Sequence, residues 1–248
     1  MEEMQVLPAP PENQEQLLHF ATQYQQLMLL YEGGIKQITT KLDILNREHR
    51  VRGMRTPIET VKSRLKTPRS IADKLSRRGL ELSIRSILEN LNDVAGVRVV
   101  CPYISDIYAV RDMLLSQADV TLFREKDYIR HPKPNGYRSL HLVVEVPVYL
   151  SDSQQQVRVE IQIRTIAMDF WASLEHKIAY KFEGNAPDYL EAELKACADV
   201  VDMLDAKMFS LNHAIMEIGE RQRKEEERRI QLEENRKRAQ ELAERELQ

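Results

Sequence analysis

Residues 124–141 read Arg124-Glu-Lys-Asp-Tyr-Ile-Arg-His-Pro-Lys-Pro-Asn-Gly-Tyr-Arg-Ser-Leu-His141, and they lead into an apolar run that ends at Val148. A second run, Gln156-Val-Arg-Val-Glu-Ile-Gln-Ile-Arg164, follows after a short polar stretch, and its apolar and polar residues alternate strictly. Alternation with a period of two is typical of a strand with one buried face. The two runs therefore predict neighbouring strands at 138–147 and 156–163, with a cationic loop before the first.

The polar face of the second predicted strand carries a carboxylate, Glu160, between Arg158 and Gln162. If the two strands pair, His141 lies on the same surface as Glu160 and Gln162, beside the loop cations that precede Tyr137. Cations and an aromatic ring beside a carboxylate suit a nucleotide and the metal ion that accompanies it. Periodicity alone leaves open the alternative that this face is simply solvated.

Helical patterns and short apolar runs alternate along the rest of the chain. Apolar residues at helical spacing predict helices over 13–50, with a break or bend at Gly33-Gly34. Proline at the first helical position marks two further helix starts, at Thr56-Pro57 and Thr67-Pro68. Strands between helices indicate an α/β or α+β domain with one central sheet and helical extensions at both ends. The remaining elements are expected to be a buried strand over Ala95–Val100 and helices over Ser105–Leu115, over Ile166–Lys181 and onward from a break near Gly184-Asn-Ala-Pro187.

Length and composition are those of a globular protein. With 248 residues and 42% hydrophobic content the chain has room for one core, and its net charge of -3 neither favours nor excludes nucleic acid. Cys101 and Cys197 lie far apart, which is typical of reduced thiols in a cytosolic protein. No apolar run approaches the ~20 residues that span a bilayer, and the acidic, Pro-rich N-terminus is unlike a signal peptide. We therefore expect a cytoplasmic protein that has no membrane partner.

A second carboxylate, Asp93, precedes the predicted strand at 95–100. Aspartate at a strand entrance is often a turn former, and that interpretation stays open. A nucleotide bound with Mg²⁺ needs hard oxygen ligands, commonly one or two carboxylates together with phosphate oxygens, and Asp93 and Glu160 supply such a pair. The sequence contains neither a P-loop nor a Rossmann glycine motif, so side-chain cations must hold the phosphates. The available cations are Arg64, Lys66, Lys74, Arg77 and Arg98.

Two charged features are interpreted as structural. The tail from 220 to 248 carries i,i+4 ion pairs such as Glu225 with Arg229, which favour a solvated helix. Coiled-coil pairing is less favoured because no apolar seam persists there. RNA binding is also less favoured, because each base has an acid nearby, so no nucleic-acid partner is expected. Glu175-His176 lacks the second histidine of the H-E-x-x-H zinc motif and is therefore not expected to bind a metal.

Four ordered segments resemble the synthetase domain of RelA/SpoT-type alarmone enzymes. They are Asp93-Val-Ala-Gly-Val-Arg98, Arg124-Glu-Lys-Asp-Tyr-Ile129, Pro132-Lys-Pro-Asn-Gly-Tyr-Arg-Ser-Leu-His141 and Glu160-Ile-Gln-Ile-Arg-Thr165. The chain is most similar to small alarmone synthetases, and Thr60-Val-Lys-Ser-Arg-Leu-Lys66 resembles the RelP-like branch most closely. The resemblance implies three regions, namely an N-terminal arm and helices at 1–54, a synthetase domain at 55–185 and a C-terminal helical extension at 186–248.

The resemblance also implies an activity and a fold. Members of the family transfer pyrophosphate from ATP to the 3′-hydroxyl of GDP or GTP, giving ppGpp or pppGpp and AMP. Their fold is a mixed sheet flanked by helices, similar to nucleotidyltransferases, and small members form homotetramers. Long members carry an HD-type hydrolase domain, whereas no His-Asp dipeptide occurs in this chain. The resemblance therefore implies synthesis without hydrolysis.

Matching positions imply roles for individual residues. Asp93 and Glu160 would hold Mg²⁺, and Glu160 would also accept the proton of the attacking hydroxyl. Arg64 and Arg98 would sandwich the adenine. The ATP phosphates would be held by Lys66, Ser70, Lys74 and Arg77. The acceptor guanine nucleotide would stack on Tyr137 and be contacted by Lys126, Lys133, His141 and Gln162.

The resemblance also bears on regulation by the product. One branch of small synthetases binds its product at positions that correspond here to Thr40, Asp43, Thr60 and Asp169. Acids disfavour an anion at those positions, so we expect little stimulation by pppGpp. One alternative function is a nucleotidyltransferase-like enzyme that attaches a nucleotide and releases pyrophosphate. The other is a non-enzymatic helical or RNA-binding adaptor that acts through the charged tail.

Overall fold

The computed structural model describes residues 14–182 and 186–246, so the predicted arm at 1–11 lies outside the described residues. Residues up to Asp202 and residues from Met203 onward form two compact units, and the sheet belongs to the first. The strands are β1 (Thr60–Leu65), β2 (Ala95–Cys101), β3 (Thr121–Asp127), β4 (Leu140–Tyr149) and β5 (Gln154–Thr165). The helices are α1 (Gln14–Val51), α2 (Pro68–Arg77), α3 (Ile84–Asn90), α4 (Ile104–Leu115), α5 (Ile166–Lys181) and α6 (Asp188–Glu246).

The strands form one sheet in the order β1-β2-β5-β4-β3. β2 and β5 run parallel while the other neighbours run antiparallel, so the mixed sheet implied by the resemblance is confirmed. β4 and β5 form the predicted pair, with Leu140 opposite Ile163 at one end and Tyr149 opposite Gln154 at the other. This register determines which side chains of β4 and β5 share a face.

α1 packs against the face of the sheet that carries Val148 of β4 and Val157 and Val159 of β5. The predicted break at Gly33-Gly34 is wrong, because α1 is continuous from Gln14 to Val51. A Cβ added to Gly33 would lie 2.6 Å from Cγ1 of Val148, and one added to Gly34 would lie 2.9 Å from Cγ1 of Val157. The two glycines therefore allow the helix to approach the sheet closely, and this packing offsets their poor helix propensity.

Neither edge strand is apparent from the apolar pattern. The helix start predicted at Thr56-Pro57 is wrong, because β1 begins at Thr60. Most side chains of β1 and β3 are exposed, so these strands lack the alternation that identifies a half-buried strand. The start at Thr67-Pro68 is confirmed, since Thr67 caps α2 by accepting a hydrogen bond from the Ser70 amide at 3.3 Å.

The hydrophobic core lies between the sheet and helices that include α1 and α4. Ile38 and Leu42 of α1, Ile107 of α4, and Leu142 and Ile161 of the sheet are fully buried there. Successive residues of a strand point to opposite faces, so burial of one face leaves the alternate side chains of the same strands available on the other. That second face is the polar one.

The two cysteines differ in burial. Cys101 is buried and Cys197 is exposed, and both are free thiols. Burial raises the pKa of the Cys101 thiol, which keeps it protonated and unreactive. Within residues 14–182 and 186–246, no helix is sufficiently long and apolar to cross a membrane.

Candidate active site

One face of the sheet carries the candidate catalytic residues. Because β5 alternates, Val159 faces α1 while Glu160 and Gln162 face the opposite side. The strand register places Gln162 between His141 of β4 and Arg98 of β2. The surface shared by Glu160, Gln162 and His141, which the alternation predicts, is therefore confirmed.

Two side-chain hydrogen bonds and one longer polar contact connect the residues on this face. Gln162 donates through Nε2 to Oε2 of Glu160 at 3.0 Å, and Nδ1 of His141 lies 3.8 Å from Oε1 of Glu160. On the other side of the imidazole, Nε2 of His141 is 2.7 Å from the hydroxyl oxygen of Tyr137. An amide, a carboxylate, an imidazole and a phenol thus form a continuous row across β5, β4 and the loop before β4.

Burial determines the charge of two members of this row. Burial raises the pKa of Glu160, the hydrogen bond from Gln162 opposes the rise, and the negative charge of Asp93 adds to it. Burial also lowers the pKa of His141 to about 3, and the positive charge of Arg164 acts in the same direction. His141 is therefore neutral near pH 7, whereas Glu160 is a carboxylate with more affinity for a proton than it has in water. Such a carboxylate is suited to accept a proton.

Asp93 lies between α3 and β2, and its two oxygens have different environments. Oδ2 accepts hydrogen bonds from Lys66 and, at 2.6 Å, from Lys74. Burial raises the pKa of Asp93, but the bonds from the two lysines outweigh burial and hold that pKa below its ordinary value. Oδ1 is the one buried side-chain polar atom of the described residues that has no hydrogen-bond partner. A buried, ionised oxygen without a partner, close to Glu160, fits the divalent-cation pair that the sequence predicts.

The two arginines predicted to hold the adenine line a cleft on the same face. Arg64 of β1 and Arg98 of β2 border it together with Glu160 and Gln162. In the register, Gly96 of β2 lies between Arg64 and Glu160, so no side chain separates the guanidinium from the carboxylate there. The structure therefore brings Arg64 and Arg98 to the carboxylate that was predicted to be catalytic.

α2 presents three further predicted donor-side residues. Ser70, Lys74 and Arg77 recur at spacings of four and three, which places them on one face of the helix. Lys74 reaches Asp93. Ser70 instead accepts a hydrogen bond from the Thr67 hydroxyl at 2.9 Å, and Arg77 donates to a backbone carbonyl of its own helix. The structure thus connects Lys74 to the site directly, and Ser70 and Arg77 only through the helix face that they share with it.

The predicted acceptor-side residues lie at the opposite end of the row. Lys126 of β3 pairs with His141 of β4, and Nζ of Lys133 lies 4.6 Å from the centre of the Tyr137 ring. Tyr137 looks exposed in the sequence but is half-buried, because its ring packs against the cluster around Trp171. Lys133 covers part of the ring, so a stacked base would have to displace that ammonium group.

Two residues of the site were not predicted to take part in catalysis or substrate binding. Arg164 appears in the sequence only as the last polar position of the alternating strand, and Asp169 was assigned to a regulatory position. In the structure, Nη1 of Arg164 and Nη1 of Arg98 lie 3.2 Å and 3.4 Å from Oδ1 of Asp169. The alternation could have identified Arg164, since residues 160, 162 and 164 share one face. Asp169 has no such signal, because its position depends on how α5 packs.

Comparison with known proteins identifies the family. Residues 63–185 match the model of a region found in RelA/SpoT proteins. Over 188 residues the chain is 46% identical to the GTP pyrophosphokinase YwaC of Bacillus subtilis, covering 76% of this chain and 90% of that protein. The chain belongs to the RelA/SpoT family.

Solved structures of family members have the same architecture. The small alarmone synthetase 2 of Bacillus subtilis superposes with a TM-score of 0.71 at 44% identity, covering 77% of this chain and 98% of that one. The small alarmone synthetase 1 of the same organism, bound to its product pppGpp, superposes with a TM-score of 0.73 at 34% identity, covering 78% and 98%. The mixed sheet and its flanking helices are therefore those of a small RelA/SpoT synthetase. All candidate site residues, from Arg64 to Gln162, lie within the matched region.

Proposed function

We propose that this chain is a GTP pyrophosphokinase that makes ppGpp or pppGpp. The 3′-oxygen of GDP or GTP attacks the β-phosphorus of ATP, the bond from that phosphorus to the bridging α–β oxygen breaks, and AMP leaves. Phosphoryl transfer of this kind depends mainly on alignment and charge neutralisation. The observation that carries the proposal is the position of Glu160, which lies in the cleft between a donor-side group of cations and an acceptor-side group.

On the donor side, the chain's own cations hold ATP. Arg64 and Arg98 sandwich the adenine, since a guanidinium plane over a purine gains stacking and cation–π energy. The polyphosphate lies along α2, where its charge is met by Lys66, Ser70, Lys74 and Arg77. Lys66 lies between β1 and α2, Lys74 lies on α2, and both contact Asp93, so one polyphosphate can contact both lysines.

On the acceptor side, the guanine stacks on Tyr137 after Lys133 has moved from the ring toward the phosphates. Neutral His141 and the Gln162 amide orient the ribose, because both already hydrogen-bond or closely approach Glu160. Lys126 and Lys133 neutralise the 5′-phosphates. Glu160 then accepts the proton from the 3′-hydroxyl as the new P–O bond forms.

Asp93 and Glu160 hold Mg²⁺ in this proposal. When bound, the ion neutralises charge on the transferred phosphates and fixes their orientation. The described residues contain no cluster of three or more His, Cys, Asp or Glu side chains that could hold a metal alone. Asp93 and Glu160 would be its protein ligands, and phosphate oxygens and water would supply the others, as is common for Mg²⁺ bound with a nucleotide.

We also propose that this chain makes its product and does not hydrolyse it, in keeping with the absence of a His-Asp dipeptide from the given sequence. We further propose that it acts in the cytoplasm. The synthetase domain is proposed to extend from residue 55 to residue 185.

The enzyme is also proposed to be a homotetramer, and α6 supports self-association. Its second-unit part carries an apolar seam with alternating spacings of four and three, and every member is at least 42% exposed. Such spacing is typical of a helix that packs against another helix. The seam consists of Leu204, Met208, Leu211, Ile215 and Ile218. It ends just before the charged tail, which explains why the tail alone shows none.

Product analysis tests the proposed activity. The protein is incubated with γ-labelled ATP, GDP and Mg²⁺, and the nucleotides are separated by chromatography. The label should move to a guanine nucleotide while AMP accumulates. Release of labelled pyrophosphate without labelled guanine nucleotide would instead indicate a nucleotidyltransferase. A protein that turns over neither nucleotide, and whose activity in the cell is lost when residues 220–248 are deleted, would instead be an adaptor.

A further inference from the structure

The buried guanidinium of Arg164 forms hydrogen bonds with four side chains beside the cleft. Its side chain is only 5% exposed. Nη2 donates to the Tyr137 hydroxyl at 2.6 Å and to Oε1 of Gln162 at 2.8 Å. Both partners belong to the acceptor side of the proposed site, so one nitrogen holds the aromatic platform and the amide in a fixed relation.

The other nitrogens of Arg164 point toward the donor side and the strand backbone. Nη1 donates to Oδ1 of Asp169 at 3.2 Å, and the same oxygen lies 3.4 Å from Nη1 of Arg98. Nε is 3.4 Å from the hydroxyl of Ser139, which in turn donates to the Ile163 carbonyl. A single carboxylate therefore links a guanidinium that organises the acceptor side to one that lines the donor cleft.

Two partly or fully buried arginines share Asp169, and this arrangement is costly for stability alone. Removing a guanidinium from water is unfavourable unless it is fully paired. Burial lowers the pKa of Arg98, and the positive charge of Arg164 lowers it further. A purely structural role would be served as well by an apolar residue of similar size. The cost is understandable if the network sets the geometry of the site.

We propose that Arg164 is a positioning residue that fixes the acceptor platform relative to the donor cleft. It acts through Tyr137 and Gln162 on one side and through Asp169 and Arg98 on the other. The inference rests on the proposed function, since it concerns the alignment of the two nucleotides. Misplacement by about 1 Å is enough to cost roughly a hundredfold in rate when alignment dominates catalysis.

Steady-state kinetics of Arg164→Lys tests the proposal. Lysine keeps the charge, but a single ammonium cannot span Tyr137, Gln162 and Asp169 as the planar fork does. The KM for GDP and the KM for ATP should both rise about tenfold, which corresponds to about 1.4 kcal/mol each, and kcat should fall as well. The double variant Arg164→Lys/Tyr137→Phe should lose less transition-state stabilisation, calculated from kcat/KM, than the sum of the two single variants. The reason is that both substitutions remove the same hydrogen bond.

Asp169→Asn provides a second variant if Arg164→Lys does not fold. Asparagine keeps the shape but not the charge, so its main effect should fall on Arg98 and the KM for ATP should rise more than the KM for GDP. Arg55→Gln is the matched control, because it breaks the ion pair of Arg55 with buried Asp106, which lies outside the proposed site. It should lower the melting temperature and leave both KM values unchanged.

The outcomes separate this inference from the proposed function. Raised KM values in Arg164→Lys, or a selective rise for ATP in Asp169→Asn, support it. Unchanged KM values in a folded variant that makes ppGpp would overturn it and leave the proposed function standing. A wild-type protein that transfers no label to GDP would overturn the proposed function itself.

Discussion

Burial controls the chemistry of the side chains at the proposed reaction centre. Glu160 and His141 lie side by side, and burial shifts the pKa of the carboxyl upward and the pKa of the imidazole downward. Both shifts favour the neutral form. Glu160 therefore accepts a proton more readily than it would in water, and the neutral imidazole of His141 does not compete for that proton.

Replacement of Glu160 tests its role as proton acceptor. Glu160→Gln keeps the size and can still bond to Gln162, so the protein should stay folded, but kcat should fall about a hundredfold or more. Because the pKa of Glu160 is raised, wild-type activity should decline as the pH falls toward the acid range. Glu145→Gln is the control, since Glu145 pairs with Arg158 away from the cleft. Equal activity in both variants would exclude this role for Glu160.

His141 predicts a pH dependence of stability. Its folded-state pKa is about 3 while the ordinary value is 6.5. Below pH 6.5 the unfolded chain gains a proton that the folded protein does not bind, so stability is lost as the pH falls, by at most about 1.4 kcal/mol per pH unit. Melting temperatures of His141→Gln between about pH 6.5 and 5 should fall less steeply than those of the wild type. A parallel decline in both proteins, with exposed His176→Gln as control, would contradict the shift.

At the scale of elements, α5 and α6 support the loop that is proposed to bind the acceptor. Nδ2 of Asn135 donates to Glu175 of α5 at 3.3 Å, and Arg138 forms an ion pair with Asp202 of α6 at 2.9 Å. Between these anchors, Gly136 adopts a φ of +88°. The loop is thus held at Asn135 and Arg138 by α5 and α6, neither of which contributes a residue that was predicted to bind the substrates.

Gly136→Ala tests whether this support matters for the acceptor. The new Cβ would lie 2.5 Å from Cβ of Ala198 on α6, in addition to the strain of a positive φ. The loop must shift, so the KM for GDP should rise several-fold while the KM for ATP stays near that of the wild type. Gly53→Ala separates the two effects, because Gly53 has a φ of +67° and open space around it. It should cost about 1 kcal/mol of stability and change neither KM.

The sequence predicts those elements whose pattern arises from their own burial. β4, β5 and α5 are recognisable because one face of each is packed, and the shared surface of Glu160, Gln162 and His141 follows from period two. β1 and β3 are missed because edge strands are exposed. The continuous α1 is missed because the reason for Gly33-Gly34 lies in another element, namely Val148 and Val157 of the sheet.

At the scale of the whole molecule, the site combines residues that are far apart in sequence. The sequence identifies most of them through motifs, but the network of Arg164 with Asp169 needs the packing of α5 on the sheet. The half-buried state of Tyr137 likewise depends on Trp171 and the first turns of α6. Tertiary contacts of this kind leave no local pattern.

The seam of α6 makes a prediction about assembly. Replacing Leu211 and Ile215 by glutamate places charge on the exposed apolar seam and should reduce the mass measured by light scattering. Ser210→Glu adds a charge on the same helix outside the seam and should leave the mass unchanged. An unaltered mass in both variants would show that the seam takes no part in assembly.

The proposed activity requires that the 3′-oxygen of the guanine nucleotide attacks the β-phosphorus of ATP. ATP with oxygen-18 in the bridge between its α- and β-phosphorus tests this most directly, with mass spectrometry of the products formed from GDP. Attack at the β-phosphorus leaves the heavy oxygen in AMP, and the guanine product gains an unlabelled bridge to its 3′-oxygen. This account predicts heavy AMP. Heavy pyrophosphate would instead mean attack at the α-phosphorus, and it would contradict the account.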